Sequence, residues 1–128
     1  MKTTLLMKVS LAVMATGLAI AASTASAADA NAGSQIFKQK CMACHTITPG
    51  AKGAMAPNLS GLANRAAAST EFDYSAALRK SKLKWDAATL STFLTAPSRL
   101  VSGTRMIVNV PDDAKRADLV AYLMTLKK

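Results

Sequence analysis

The chain has 128 residues and is strongly basic, with 16 Lys and Arg against 7 Asp and Glu and a formal net charge of +9. This length indicates one domain rather than several. One His and two Cys are too few for a structural zinc site, which needs about four nitrogen or sulfur ligands.

The first 27 residues have the pattern of a cleaved signal peptide. Lys2 and Lys8 form a positive n-region, residues 9–22 form an apolar h-region, and residues 25–27 (Ala-Ser-Ala) fit the small-x-small cleavage rule. The apolar stretch is shorter than the roughly 20 residues that a membrane span needs, although an uncleaved anchor is the alternative. We therefore predict export, cleavage after residue 27, and a mature domain of residues 28–128 without stable membrane insertion.

The first predicted helix spans residues 32–45, with Asn31 as its N-cap. Its apolar stripe includes Phe37 and also carries the thiol of Cys41. Gly33 lies early in this helix, where glycine has no propensity advantage, so we expect another helix to cross it at close range.

Residues 41–45, Cys-Met-Ala-Cys-His, contain both cysteines and the only histidine of the chain. Two thiols one helical turn apart can each add to a vinyl group of one porphyrin, and the adjacent His then lies under the iron. We predict one covalent haem c, attached through Cys41 and Cys44, with His45 as an axial ligand. Two alternatives are a thioredoxin-like redox dithiol and a structural disulfide. A thioredoxin-like dithiol would be expected to follow a β-strand, and a structural disulfide would leave His45 without a role.

A turn region follows at residues 46–53, and Pro57 lies in the next non-helical stretch. A metal-bound His needs an acceptor for its other ring N–H, usually a backbone carbonyl. We predict that Pro57 presents this carbonyl, because proline stiffens its segment; an ordinary loop proline is the alternative. Residues 60–73 are predicted to form an irregular loop, with Gly61 and Asn64 as its special-dihedral positions.

Arg65, Tyr74 and Trp85 carry the guanidinium, phenol and indole donors that a buried haem propionate needs. Taken singly, the two aromatic residues are more often ordinary core residues. A short helix is predicted over residues 74–80. The next helix has Asp86 as its N-cap and is expected to end at Pro97.

The last predicted helix begins after Pro111, has acidic residues at its positive end, and finishes with two lysines, Lys127 and Lys128. We expect its apolar face to cross the first helix near Gly33. That face consists of Leu119, Val120, Leu123 and Leu126.

A loop at residues 98–110 contains one methionine, Met106. A thioether is a soft, neutral donor suited to haem iron, and a His/Met pair raises the reduction potential. The other methionines are less suitable, since Met42 and Met55 lie too close to the attachment turn and Met124 lies on the last helix. We predict Met106 as the second axial ligand, with core packing as the alternative.

The order and spacing of these stretches resemble the class I cytochromes c of the mitochondrial-like branch over residues 31–126. The matching segments are residues 32–37, 41–45, 57–62, 72–75, 90–97, 103–106 and 116–123, together with Arg65 and Trp85. The resemblance implies an all-α fold of four to five helices and irregular loops around one covalent haem, with crossing terminal helices. It also implies Met106 as distal ligand, Pro57 holding His45, and Arg65, Tyr74, Trp85 and Thr104 around the propionates.

The chain departs from this family at positions where glycine or proline is usual. Ala56, Asn64 and Ala68 stand in place of glycines, Ser102 stands in place of proline, and no glycine follows Met106. Alanine adopts left-handed dihedrals poorly. We therefore expect a loosened distal loop, from which Met106 dissociates more readily than in relatives.

These patterns predict a periplasmic, soluble, monomeric protein that carries one electron between redox partners and is not an enzyme. No nucleic-acid recognition motif accompanies the positive charge, so we expect acidic redox proteins to dock at a basic haem-edge face, with dispersed solvated charge as the alternative. The candidate rim residues are Lys38, Lys40, Lys52, Arg99 and Arg105. A labile Met106 would instead favour a peroxidase-like enzyme or a small-ligand sensor.

Overall fold

The computed structural model describes residues 26–128, so residues 1–25 of the predicted signal peptide lie outside the described part of the chain. Five helices form within residues 26–128: α1 Ala30–Lys40, α2 Ala76–Ser81, α3 Ala87–Thr95, α4 Pro97–Leu100 and α5 Asp113–Leu123. The strand-like pairing in this range is one isolated antiparallel bridge, between Ala66 and Lys84. The predicted all-α class is confirmed.

Helix α1 begins two residues earlier than predicted, and its N-cap is Asp29 rather than Asn31. The Asp29 carboxylate accepts hydrogen bonds from the backbone N–H groups of Asn31 and Ala32, at 2.8 and 3.4 Å. The Asp29 N–H in turn donates to the carboxylate of Asp118 at 2.7 Å. This cap also ties the start of α1 to α5, a contact that is invisible in the local sequence.

The end of α1 was also predicted wrongly, because the helix stops at Lys40 and does not include His45. Residues 41–44 form a tight turn instead. The N–H groups of Cys44 and His45 both donate to the Cys41 carbonyl, at 3.1 and 2.9 Å. The turn keeps the two thiols and the imidazole close together without a regular helix.

The predicted crossing of α1 and α5 at Gly33 is confirmed. A Cβ built on Gly33 would meet the backbone carbonyl of Asp118, with the carbonyl carbon at 2.6 Å, and the Tyr122 Cβ at 2.8 Å. One turn further along α1, the rings of Phe37 and Tyr122 pack with centroids 5.5 Å apart. The predicted apolar face of α5 is buried at Leu119, Val120 and Leu123 and half-buried at Leu126.

Helix α5 ends at Leu123, so the prediction that it finishes with Lys127 and Lys128 is wrong. The N–H of Thr125 donates to the carbonyl of Tyr122 at 2.9 Å, which tightens the last turn. The Lys127 carbonyl then accepts from the N–H of Gly61 at 3.0 Å. This contact joins the C-terminal segment to the loop at residues 60–73, which we call the 60s loop.

The central helices lie close to their predicted positions. Ser75 caps α2 by accepting from the Leu78 N–H at 3.1 Å, so this helix begins after Ser75 rather than at Tyr74. Asp86 caps α3 as predicted, accepting from the Thr89 N–H at 2.8 Å. Pro97 follows the end of α3 and is also the first residue of α4, where its missing N–H costs nothing.

The core surrounds a central space rather than filling the interior. Its most deeply buried side chains are those of Phe37 on α1, Leu119 on α5 and Val110, whose N–H donates to the Leu94 carbonyl of α3 at 2.7 Å. The side chains of Trp85 and Phe93 pack with ring centroids 5.0 Å apart. Among the helices of residues 26–128, none has the length and apolar character needed to cross a membrane.

The 60s loop contains three left-handed residues, and two of them are not glycine. The predicted positions Gly61 and Asn64 have φ of 65° and 59°, and Ala68 has φ of 55°. Ala68 therefore adopts the left-handed conformation that is unfavourable for alanine. This was expected because Ala68 stands where the family usually has a glycine. The cost for a residue with a Cβ is about 1 to 2 kcal/mol.

We expect Ala68→Gly to raise the free energy of unfolding by roughly 0.5 to 1 kcal/mol, because the strain removed exceeds the added flexibility of the unfolded chain. Chemical denaturation followed by helical circular dichroism measures the change. Ala67→Gly is the matched control, since Ala67 has an ordinary negative φ and its replacement should destabilise the fold. Equal destabilisation by both substitutions would contradict the assignment of strain to residue 68.

Candidate functional site

A cavity of about 280 Å³ opens at the centre of the fold. The structure brings together at its walls all nine residues that the sequence nominated: Cys41, Cys44, His45, Pro57, Arg65, Tyr74, Trp85, Thr104 and Met106. Apart from Lys40 and Arg105, which were predicted as rim cations, the rest of the lining is mainly apolar and was not singled out as part of a site. It includes Leu59, Leu62, Leu78, Leu90, Phe93, Leu94 and Val108. The sequence does not distinguish these residues from ordinary core residues, because the cavity is lined by side chains of the same hydrophobic core.

Cys41 and Cys44 stand at one edge of the cavity and are not joined by a disulfide. Burial raises the pKa of the Cys41 thiol to about 11, because the thiolate would lose its hydration. A redox-active dithiol needs a lowered thiol pKa and, in the thioredoxin arrangement, a preceding strand. Here the two cysteines follow α1, so the dithiol alternative does not fit the structure.

The His45 imidazole is held by a backbone carbonyl. Its Nδ1 lies 2.7 Å from the carbonyl oxygen of Pro57, the partner that the sequence nominated. With Nδ1–H donating to this carbonyl, Nε2 keeps its lone pair. Burial lowers the pKa of His45, and the hydrogen bond to Pro57 only partly opposes this effect. The geometry therefore presents a neutral imidazole, which is the form that binds a metal.

Arg65 contributes an unsatisfied cation to the cavity wall. Its two terminal nitrogens donate to the backbone carbonyls of Ser60 and Asn58, at 2.7 and 3.0 Å. Its Nε is buried and has no hydrogen-bond partner. Burial also lowers the pKa of Arg65, since the guanidinium is partly dehydrated. A buried N–H donor beside an apolar cavity fits a bound group that is largely apolar and carries a carboxylate.

Tyr74 and Trp85 are both core residues and cavity residues, so the two interpretations of each are compatible. The Tyr74 hydroxyl shares a hydrogen bond of 2.5 Å with the Thr70 hydroxyl. The Trp85 indole stacks obliquely on Phe93 while another part of it lines the cavity. Both side chains are buried.

The loop that carries Met106 closes the cavity and is tied to the chain segment that precedes α2. The Thr104 N–H donates to the Val101 carbonyl at 3.0 Å. The Thr104 hydroxyl accepts a hydrogen bond from the Met106 N–H at 3.4 Å. The Arg105 guanidinium donates to the backbone carbonyl of Asp73 and lies 3.9 Å from the Asp73 carboxylate. Met106 is half-buried and lines the same cavity as His45.

The mouth of the cavity combines exposed apolar side chains with positive charge. Met55 and Ile107 line it and remain 74% and 90% exposed. Of the five predicted rim cations, Lys40 and Arg105 line the cavity. The other three, Lys38, Lys52 and Arg99, do not line it. An apolar centre with two cations at its edge is a surface suited to transient protein contacts.

A family model described as cytochrome c matches residues 30–127. The chain belongs to the cytochrome c family. It is 46% identical over 103 residues to cytochrome c2 of Rhodoblastus acidophilus, a match that covers 79% of this chain and 95% of that protein. It is 41% identical over 101 residues to cytochrome c of Guizotia abyssinica, covering 77% of this chain and 91% of that protein.

A solved structure, cytochrome cH from Methylobacterium extorquens, has the same fold. It is 37% identical to this chain, superposes with a TM-score of 0.70, and the match covers 76% of this chain and 98% of that one. Together with the C-x-x-C-H turn, these comparisons identify a class I c-type cytochrome with one covalently bound haem c. The cytochrome is a mono-haem electron carrier.

Proposed function

We propose that this cytochrome works in the periplasm as a soluble one-electron carrier, with His45 and Met106 as the axial ligands of its haem iron. The observation that carries the proposal is the pair of donors at one cavity. His45 is fixed through Nδ1 to the Pro57 carbonyl, and Met106 lies on a tethered loop that lines the same space. The predicted signal peptide of residues 1–27 supports the periplasmic location.

The bound haem supplies an iron that holds one electron reversibly between the ferric and ferrous states. The protein residues hold that group and control its surroundings. Pro57 sets the orientation of the His45 ring, and the buried Nε of Arg65 is a donor for a propionate. Tyr74, Trp85 and Thr104 line the cavity and complete this propionate environment in the proposal.

The same cavity argues for electron transfer rather than catalysis. His45 is the only histidine of the chain, so no second imidazole is available as an acid–base partner. If the Met106 thioether and the His45 imidazole both bind the iron, they would leave no open site for a substrate. The hydrogen bonds of Arg105 and Thr104 favour retention of Met106, in contrast to the loosened distal loop that the departures from the family suggested.

Redox partners dock, in this proposal, at the apolar mouth around Met55 and Ile107, where Lys40 and Arg105 select an acidic surface. Exposed charges accelerate encounter more than they strengthen the complex. The interaction should therefore be weak and should slow as ionic strength rises.

The test of this proposal is the optical spectrum of the exported, reduced protein before and after addition of carbon monoxide. We expect a haem c spectrum that carbon monoxide does not change, because both axial positions are occupied. Rapid formation of a carbonyl complex would overturn the ligation by Met106 and favour a peroxidase-like enzyme or a sensor. Mass spectrometry of the exported chain should show one haem and loss of residues 1–27, and an intact leader would overturn the proposed cleavage.

A further inference from the structure

Asn58 immediately follows Pro57, the residue whose carbonyl holds the His45 ring, and its side chain is half-buried. The Asn58 side-chain amide nitrogen donates to the backbone carbonyls of Thr48 and Ala51, both at 2.7 Å. Both N–H donors of this amide are therefore used. Their two partners lie in the turn that follows the haem attachment site.

These bonds join two chain segments that meet at the His45 ring. One is the turn at residues 45–53, and the other is the segment at residues 57–60. Within residues 26–128, four hydrogen bonds connect the two segments: the His45–Pro57 bond, the Leu59–Thr46 backbone bond of 2.9 Å, and the two bonds of the Asn58 amide. The Asn58 amide thus supplies half of the hydrogen bonds that keep the Pro57 segment beside the attachment site.

The bonds inside the turn cannot replace those of Asn58. The Ala51 N–H donates to the Thr48 carbonyl at 3.1 Å, and the Thr48 N–H donates to the Thr46 hydroxyl at 3.3 Å. Both bonds shape the turn, but neither connects it to the Pro57 segment. The distance between the turn and this segment is therefore set largely by the Asn58 side chain.

The same residue also supports the guanidinium that the proposed function places at a propionate. The Asn58 and Ser60 carbonyls accept from the two terminal nitrogens of Arg65, at 3.0 and 2.7 Å. The Asn58 side-chain oxygen accepts from the Ser60 N–H at 2.8 Å, which fixes the turn that presents both carbonyls. The Asn58 side chain therefore fixes the backbone that faces His45 and the backbone that faces Arg65.

We propose that Asn58 is a positioning residue for the His45 side of the haem, because its side-chain amide holds the Pro57 carbonyl at hydrogen-bond distance from His45 Nδ1. The proposal deepens the proposed electron-carrier function and rests on ligation of the iron by His45. A carbonyl that accepts from the second ring nitrogen makes the imidazole a more basic ligand, which favours the ferric state. Loosening the Pro57 segment weakens this bond and raises the reduction potential.

The test compares the wild-type and Asn58→Ala holoproteins by proton NMR in the ferrous state and by potentiometric titration. Asn58→Ala removes all three side-chain hydrogen bonds of residue 58. We expect the resonance of the His45 ring N–H to move upfield, because its hydrogen bond lengthens, and the reduction potential to rise. Asn31→Ala is the matched control, since Asn31 is an exposed asparagine on α1 that does not line the cavity.

Two further variants separate positioning from a general loss of stability. Gly33→Ala strains the crossing of α1 and α5 without touching His45, so it should leave the N–H resonance and the potential at their wild-type values. Asn58→Asp keeps the size of the side chain and an acceptor for the Ser60 N–H, but a carboxylate cannot donate to either carbonyl. It should move the N–H resonance upfield as Asn58→Ala does, so the test survives if one of these two variants fails to fold.

An unmoved N–H resonance or an unchanged potential in Asn58→Ala would overturn the positioning role, as would equal changes in Asn31→Ala or Gly33→Ala. Ligation by His45 is judged separately in the wild type, from the carbon-bound ring protons that the haem ring current displaces strongly upfield when the imidazole binds the iron. Absence of this displacement would refute the ligation and the positioning role with it. Displaced carbon protons together with an unmoved N–H in Asn58→Ala would refute the positioning role alone.

Discussion

Replacing Met106 by alanine should lower the reduction potential by on the order of 0.2 V, a part of the roughly 0.8 V range that axial ligands span. In the proposed ligation the Met106 thioether is a soft donor that favours the ferrous state, and its loss would leave the iron with one protein ligand, His45. The same change should open the distal position, so carbon monoxide should bind the reduced Met106→Ala protein. Potentiometric titration and the carbonyl spectrum measure the two effects independently.

Met55→Ala is the matched control for this substitution. Met55 is another methionine that lines the cavity, but it is 74% exposed at the mouth and follows closely after the attachment turn. Its replacement should leave both the potential and the resistance to carbon monoxide unchanged. A Met106→Ala protein that keeps its potential and excludes carbon monoxide would refute Met106 as a ligand, and a loss of both properties in Met55→Ala would assign the role to Met55.

Gly33→Ala should lower the free energy of unfolding by about 2 to 4 kcal/mol, although alanine is the better helix former. The added Cβ has no room at the crossing of α1 and α5, because it meets the Asp118 backbone and comes within 2.8 Å of the Tyr122 Cβ. A backbone carbonyl cannot rotate away as a flexible side chain could, so the two helices must separate. At about 4 to 8 °C per kcal/mol, the midpoint of thermal unfolding should fall by roughly 8 °C or more.

Gln35→Ala is the control in the same helix, since Gln35 is exposed and its replacement slightly improves helix propensity. It should change the unfolding free energy by no more than about 0.5 kcal/mol. Thermal and chemical unfolding of the ferric holoproteins, followed by circular dichroism, compares the two variants. A Gly33→Ala protein as stable as the wild type would show that the helices do not approach so closely at this position.

The sequence predicted the haem attachment site well, although not the turn that carries it, because the attachment chemistry is local. Cys41, Cys44 and His45 lie within five residues, and covalent attachment imposes their spacing directly. The cap of α3 was equally readable, since Asp86 acts on a backbone N–H three residues away. The start of α5 was correctly placed after Pro111, although the sequence did not single out Asp112 as the residue that caps it. Gly33 could be interpreted because a glycine inside a helix has few explanations other than close approach.

Other helix boundaries could not be predicted from the sequence, because contacts between residues far apart in the chain determine them. Asp29 rather than Asn31 caps α1, partly because the Asp29 N–H is bound by Asp118 from α5. The C-terminal residues leave the helix because the Lys127 carbonyl pairs with Gly61 in the 60s loop. Local propensity contains no information on either partner, since both lie far along the chain.

The sequence by itself therefore predicted the family, the all-α class and the covalent attachment site, and it nominated residues that could bind the haem. The tertiary structure decided which of those residues meet. It placed Lys52 away from the central cavity, and it showed that Arg65, which lines this cavity, has a buried N–H without a partner. The physical reason is that spacing along the chain controls chemistry within one turn, whereas a cavity wall is assembled from irregular loops that have no periodicity and are positioned by packing.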